Sequence, residues 1–307
     1  MNQLNYQYLA KSVPFEENGK ILLSIGFHIT FYFGDGNMQY KRRAIVELFN
    51  EYNRLCGDCL KWQVHPATFN WQGIKEEHSA KNWILKNPKN INVWQATMHG
   101  GKAFDESSPY RIEAVGYPKP DRKLSYFTVG FPFDWFAEAN REDPVKLVTR
   151  WSDILIPWYG TAGMTVMPSM HPSMERITSS HVYALMRRFP GLEYNNPNSH
   201  RMYLKKSIKS VNWLTIIQNE FIGHLGGLSA LKKAFGGDGA IQLHSYEGGV
   251  VIQAGSYPEI GDVNAGLIPA HYKAVNDILK PIRVGSEHKP FLGFSDDETQ
   301  EWLARFD

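Results

Sequence analysis

Three β-type segments follow one another around Asn92–Met98, Tyr110–Tyr117 and Leu124–Phe131, and the gaps between them are loop-like, holding Asp105–Pro109 and Pro118–Asp121. Parallel neighbours need a crossover of about a dozen residues or more, usually a helix, whereas antiparallel neighbours need only a hairpin. Strands spaced this closely, with helical patterns elsewhere in the chain, predict an α+β protein with mixed or antiparallel sheets and packed helices rather than a doubly wound parallel sheet.

The flanking segments fit that frame. "KILLSIGFHITFYF", residues 20–33, is rich in β-branched and aromatic residues and reads as one long strand or a bent pair. After the turn "GDGNM", Ile45, Leu48, Phe49, Tyr52 and Leu55 recur at helical spacing up to Cys56. Asp143 before Pro144 predicts a helix start, with Val145, Val148, Trp151, Ile154 and Leu155 on its apolar face. "GTAGMTVMPS", 160–169, predicts a strand, and Pro172 to Phe189 a helix that buries Met174, Ile177, His181 or Val182, Leu185 and Phe189. Leu214, Ile217, Phe221 and Leu225 give a helical pattern stopped by Gly226-Gly227. Leu228, Leu231 and Phe235 suggest a short further helix. Strands at 240–246 and 250–254 meet across "EGG" as a hairpin. Residues 269–280 read as a helix, and Ser295 with Glu298 as a capping box before the last helix. The order of elements suggests two related α/β halves, 1–157 and 158–307, that together make one compact unit.

Composition narrows the function. Thirty-three basic against thirty-one acidic residues leave a net charge of +2, too small for a global field toward nucleic acid or an anionic membrane. The basic runs 41–43, 187–188 and 205–209 are short and separated, so no direct nucleic-acid partner is expected. The N-terminus lacks a signal-peptide pattern and no apolar run approaches 18 residues, which favours a cytoplasmic protein without a membrane partner. Two cysteines agree with that compartment.

Chemical motifs are sparse. Cys56 and Cys59 have the spacing of a redox pair or half a zinc site, but they follow a helix instead of starting one, and only His65 could supplement them. No HExxH, GxSxG, phosphate-loop or dinucleotide pattern occurs, so no metal, cofactor or catalytic residue is assigned. The alternative enzyme reading is a cryptic polar site assembled by folding, for instance from His99, Asp105 and Glu113. The acidic and polar stretches 256–264 and 296–301, with aromatics nearby, would suit a basic partner.

Taken in order, "RFPGLE" (188–193), "NWLTIIQNEFIGHLGG" (212–227), "VIQAGSYPEIGDVNAG" (251–266), "YKAVNDILKPIR" (272–283) and "EWLARFD" (301–307) resemble the bacterial type VI secretion immunity family, formerly a domain of unknown function. The resemblance runs from about residue 15 to the C-terminus and is strongest from residue 158. It implies a protein without a catalytic role that binds a toxin injected by neighbouring cells and blocks it. The partner it implies is a cognate secreted toxin, a nuclease of restriction-endonuclease-like fold whose active or DNA-binding site would be covered; oligomeric state stays open. A non-inhibitory adaptor or structural protein of the secretion system is the competing reading. Within the matching stretches, Phe189, Pro190, Gly191, Leu192, Trp213, Gly226, Gly227, Pro258, Gly261 and Asn264 are expected to maintain the fold. Pro190-Gly191 suits the centre of a type II turn. Candidate toxin contacts are Glu259, Asp262, Asp296, Asp297 and Glu298, with Tyr257 and Trp158 as aromatic anchors.

Overall fold

The structure is a computed structural model that describes residues 14–75, 80–86, 93–118, 123–137, 141–237, 239–285 and 294–307. Asn92, positions 119–121 of the second loop and the N-terminal residues 1–13 considered above lie outside them. Strand β1 (Phe15–Glu17) pairs with β2 (Lys20–Phe33), a single unbroken strand of 14 residues at the centre of the sheet. Its odd-numbered residues Phe27, Ile29, Phe31 and Phe33 face one side, and Ser24, His28, Thr30 and Tyr32 face the other, because side chains alternate along a strand.

The remaining strands are β3 (Trp62–Val64), β4 (Trp71–Gly73), β5 (Trp94–His99), β6 (Arg111–Gly116), β7 (Ser125–Pro132), β8 (Tyr159–Pro168), β9 (Glu193–Tyr194), β10 (Leu214–Gln218), β11 (Ile241–Tyr246) and β12 (Gly249–Ala254). Together they form one twelve-stranded sheet in the order β11-β12-β10-β8-β2-β7-β6-β5-β3-β4; every pairing is antiparallel except that of β9 with β8. The α+β expectation therefore holds. Strands from both sides of residue 157 share the sheet, since β8 pairs with β2 from Leu23↔Pro168 to Tyr32↔Tyr159.

The aromatic face is covered by α1 (Gln39–Cys56) and α3 (Pro144–Leu155); α2 (Ala80–Lys86) packs beside α1. Phe49 and Trp151 meet Phe127 edge-on, and Tyr52 meets Phe131, its hydroxyl donating to the Gly130 carbonyl at 2.5 Å. Asp143 caps α3 as its spacing predicts, accepting from the Val145 amide at 2.8 Å. On the opposite face lie α4 (Pro172–Arg188), α5 (Pro197–His200), α8 (Ala270–Leu279) and α9 (Asp296–Leu303), while α6 (Asn219–His224) and α7 (Leu228–Phe235) join β10 to β11.

Two local expectations are corrected. Residues 214–218 form a strand, and the helix occupies only Asn219–His224. The spacing of Leu214, Ile217, Phe221 and Leu225 mimics a helical face, but Thr215, Ile216 and Ile217 are β-formers. β10 lies between β8 and β12, where both its edges are hydrogen-bonded and both faces buried. Val182 in α4 and Phe189 at its C-cap are buried as expected, but Thr178 and Met186 are buried too, whereas Ile177 is exposed. The helix is rotated by about one residue, so that Thr178 also packs inward while its hydroxyl donates to the Met174 carbonyl.

Candidate functional site

The chain leaves α4 through Phe189-Pro190-Gly191-Leu192, a turn closed by Leu192 N–H donating to the Phe189 carbonyl at 3.0 Å. Gly191 is not among the residues with positive φ, so this is not the type II turn expected. The glycine is required by a tertiary contact instead. A Cβ there would lie 2.0 Å from the Glu259 carbonyl oxygen, and the Gly191 amide donates to the Ile260 carbonyl at 2.8 Å. The turn is thus pinned to the loop that follows β12.

That loop, residues 255–269, is held rigidly. Gly255, Gly261 and Gly266 take positive φ, a region other residues rarely occupy. Asp262 and Leu267 exchange backbone hydrogen bonds, and the Asp262 carboxylate accepts from the Asn264 amide and, bidentately, from Arg188 at 3.2 and 3.0 Å. The Arg188 hydrogen bonds hold the Asp262 carboxyl below its ordinary range. On this scaffold Tyr257, Val263, Leu267 and Ile268 stand exposed, with Pro258 and Glu259 half-buried. Arg305 stacks on Trp302 at 3.7 Å and donates to the Pro190 and Val211 carbonyls, which ties the C-terminus to the same turn.

A depression of about 280 Å³ separates loop from helix, lined by Met186, Arg187, Val263, Ile268, Glu301 and Trp302. Asp296 and Asp297 are exposed in the first turn of α9, about 8 Å up the helix from Glu301 at 1.5 Å per residue. Glu298 accepts from the Ser295 amide at 2.7 Å and completes the capping box. The structure therefore brings Tyr257, Glu259 and Asp262 onto one loop, while Asp296–Glu298 form the first turn of α9, whose later residues Glu301 and Trp302 line the depression against that loop. Trp158 lies elsewhere. Its carbonyl accepts from Gln218, which pairs with Gly249, five residues or about 17 Å along β12 from where the loop departs. Trp213 is buried, its indole donating to the Gly255 carbonyl, and Gly226-Gly227 end α6 with positive φ.

A second surface lies on the same side of the sheet, at the other end of α4. It is a cleft of about 320 Å³ whose floor carries Gln95, Thr97, Glu113 and Thr128 on adjacent strands, with Asn195 at one side and Phe69, Trp71 and His171 among its walls. Gln95 Nε2 donates to Thr97 at 2.9 Å and to Glu113 at 3.1 Å. Thr30 and Thr128 share a 2.7 Å bond, and Asn195 bridges both. Sequence reasoning missed this site as a whole, because its residues come from six separated segments. A signal existed in the polar residues at alternate positions, His28/Thr30 and Gln95/Thr97, within otherwise apolar strands.

Beneath the two surfaces sits a buried ion pair. Lys209 Nζ lies 2.7 Å from Glu193 Oε1, at 2% and 0% side-chain exposure, and also reaches the Tyr194 carbonyl and His200 Nδ1. Burial alone would raise the Glu193 carboxyl, but Lys209, then Arg305, hold it below the ordinary range. His28, hydrogen-bonded to Thr30, is pushed down to about 3 by burial, and His99 to about 4 by burial and then Arg111.

Both rings are neutral in the fold and take up protons on unfolding below about pH 6.5. Stability is therefore lost as pH falls from that value toward the folded pKa. Urea unfolding should show a loss of about 2 kcal/mol between pH 6.5 and 5.5, at about 1.4 kcal/mol per proton and pH unit. A stability flat over that interval would contradict the buried neutral state.

The residues of the cryptic-site alternative are each bonded elsewhere. His99 uses its ring nitrogens on the Phe104 carbonyl and the Gly101 amide, Asp105 pairs with Lys20 at 2.6 Å, and Glu113 bonds Gln95 and Thr97. Cys56 is buried and its thiol pushed up to about 12 by burial, the opposite of an activated thiolate. Among the described residues no three His, Cys, Asp or Glu side chains cluster to hold a metal, and no helix is long and apolar enough to cross a membrane.

The fold and its surfaces define an α+β protein built on one open, largely antiparallel sheet with two shaped depressions on one side. Residues 44–306 match TsiV, type VI immunity for VRR-NUC, and the chain belongs to that family. A solved structure, Pseudomonas aeruginosa T6SS protein PA0821, superposes with a TM-score of 0.83 at 24% identity, over 95% of this chain and 84% of that one, so the two share the fold. No curated protein matches by sequence.

Proposed function

We propose that this chain is an immunity protein that binds a VRR-NUC nuclease toxin and neutralises it by covering the toxin's active or substrate-binding site. The family match over residues 44–306 carries the reading. In it the protein acts as an inhibitor in the cytoplasm, with segments 1–157 and 158–307 working as one unit across their shared sheet.

The rigid 255–269 loop and the start of α9 supply a contact surface suited to a nuclease. Exposed Tyr257, Val263, Leu267 and Ile268 offer apolar anchorage, and Glu259, Asp296 and Asp297 offer charge against a basic DNA-binding face. Asp262 and Glu298, whose carboxylates are engaged by Arg188 and the Ser295 amide, chiefly set the shape of that surface. Reversing Glu259, Asp296 and Asp297 to lysine should slow association with the purified toxin at least about tenfold at low salt and flatten its salt dependence. Unchanged affinity and salt dependence would remove this surface from the interface; a wild-type protein that neither binds the toxin nor blocks its DNA cleavage would remove the function.

A further inference from the structure

We infer that the cleft between β4–β7 and the start of α4 is a socket for one basic side chain of the toxin, an arginine held by Glu113. The inference rests on the immunity reading and adds the chemical class of a specific anchor.

The cleft floor has few donors left to offer a guest. Its donors are spent inward: the Gln95 amide on Thr97 and Glu113, the Asn195 amide on Thr128, and the Thr30 hydroxyl within the same chain of bonds. Arg111, which also lines the cleft, has all three nitrogens committed, to the Ser108 carbonyl at 2.7 Å, the Pro168 carbonyl at 2.9 Å and Ser107 Oγ at 3.3 Å. What remains is acceptor capacity: the Gln95 carbonyl and the lone pairs of the Glu113 carboxylate that Gln95, Thr97 and Tyr126 leave over. A guanidinium is all donor, with five N–H groups in a fixed fork, and matches such a floor; a phosphate, a carboxylate or a nucleobase edge seeking donors does not.

Charge agrees with this inventory. Among the described residues no cation forms an ion pair with Glu113: its carboxylate accepts from Tyr126, Thr97 and Gln95, and Arg111 and Arg201 act on it only at longer range. Burial pushes its carboxyl above the ordinary value, which a cation brought to the floor would reverse. The walls suit the same guest, because they include Trp71 and Phe69, aromatic residues of the kind on which a guanidinium plane stacks. A nuclease neutralises DNA phosphates with arginine and lysine, so the residue captured here is one that otherwise contacts nucleic acid.

The test is toxin binding by calorimetry with wild type, Glu113→Gln, Glu113→Asp and Gln95→Arg. Glu113→Gln keeps the shape and removes the charge; Gln95→Arg places the protein's own guanidinium over Glu113 and fills the socket from the open side. Each of these two should weaken the dissociation constant at least about 30-fold at unchanged melting temperature, and Glu113→Asp should recover part of the loss. Scanning the toxin's arginines to alanine should then find one whose loss is silent against Glu113→Gln. Folded Glu113→Gln and Gln95→Arg proteins that bind within threefold of wild type overturn the socket while leaving the immunity function standing. Absence of wild-type binding overturns the immunity function first.

Discussion

Replacing Lys209 with methionine should cost about 3–5 kcal/mol of folding stability, because it leaves the fully buried Glu193 carboxylate without its ammonium partner. The Tyr194 amide at 2.9 Å and Ser210 at 3.4 Å remain to Glu193, and Arg305 acts on it through space, too little to offset the desolvation of an ionised carboxylate. The contribution of Glu193 to the pH dependence should change sign, so that the difference in stability between the two proteins varies with pH, which separates this cause from lost packing. In the wild type Glu193 lies below its ordinary value, so its contribution is present above the unfolded pKa and lost as pH falls through the folded one. In the variant burial dominates and the carboxyl moves up, so its contribution is present at low pH and lost as pH rises. The check is urea unfolding of both proteins from pH 4 to 8. A Lys209→Met protein as stable as wild type, or with a parallel pH profile, would show that the pair does not hold the fold.

Gly191→Val should destabilise the protein by about 3 kcal/mol, the upper part of the range for overpacking a close-packed site. The atom in the way is the Glu259 carbonyl oxygen, 2.0 Å from the position a Cβ would take, and it belongs to backbone that cannot swing aside as a side chain could. Accommodation would push the 255–269 loop away from the turn and break the bond from Gly191 to Ile260. Toxin binding should weaken as a consequence, since the contact loop is displaced with it. The measurement is thermal unfolding together with affinity. A variant that melts normally yet fails to bind would reassign Gly191 from the scaffold to the interface.

The glycine also shows how legibility divides. Its necessity was readable at "RFPGLE", but the reason was not. A local turn with positive φ is the explanation a sequence offers, whereas the actual one is a chain segment 68 residues further on, approaching within van der Waals distance. Asp262 behaves similarly: its turn-forming role at "GDVN" was legible, and its bidentate pairing with Arg188 was not. The Glu113 cleft lay further from view. Alternating polar residues in a strand declare an unusual face, but which strands lie side by side follows from sheet order, and β5, β6 and β7 become one floor only through that order.

By itself the sequence determined the features set within a few residues: the Asp143 and Ser295 caps, the Gly226-Gly227 stop, the β11–β12 hairpin and the motifs that place the chain in its family. Tertiary structure decided what depends on neighbours distant in the chain: that 214–218 is a strand, how α4 is rotated, why Gly191 is glycine, and where a carboxylate is left without a cation. The physical reason is one of competing scales. Capping and turn preferences act through bonds that the local chain makes alone, while a segment whose periodicity fits both helix and strand takes the form that satisfies its backbone and buries its faces. For β10 that form was supplied by β8 and β12.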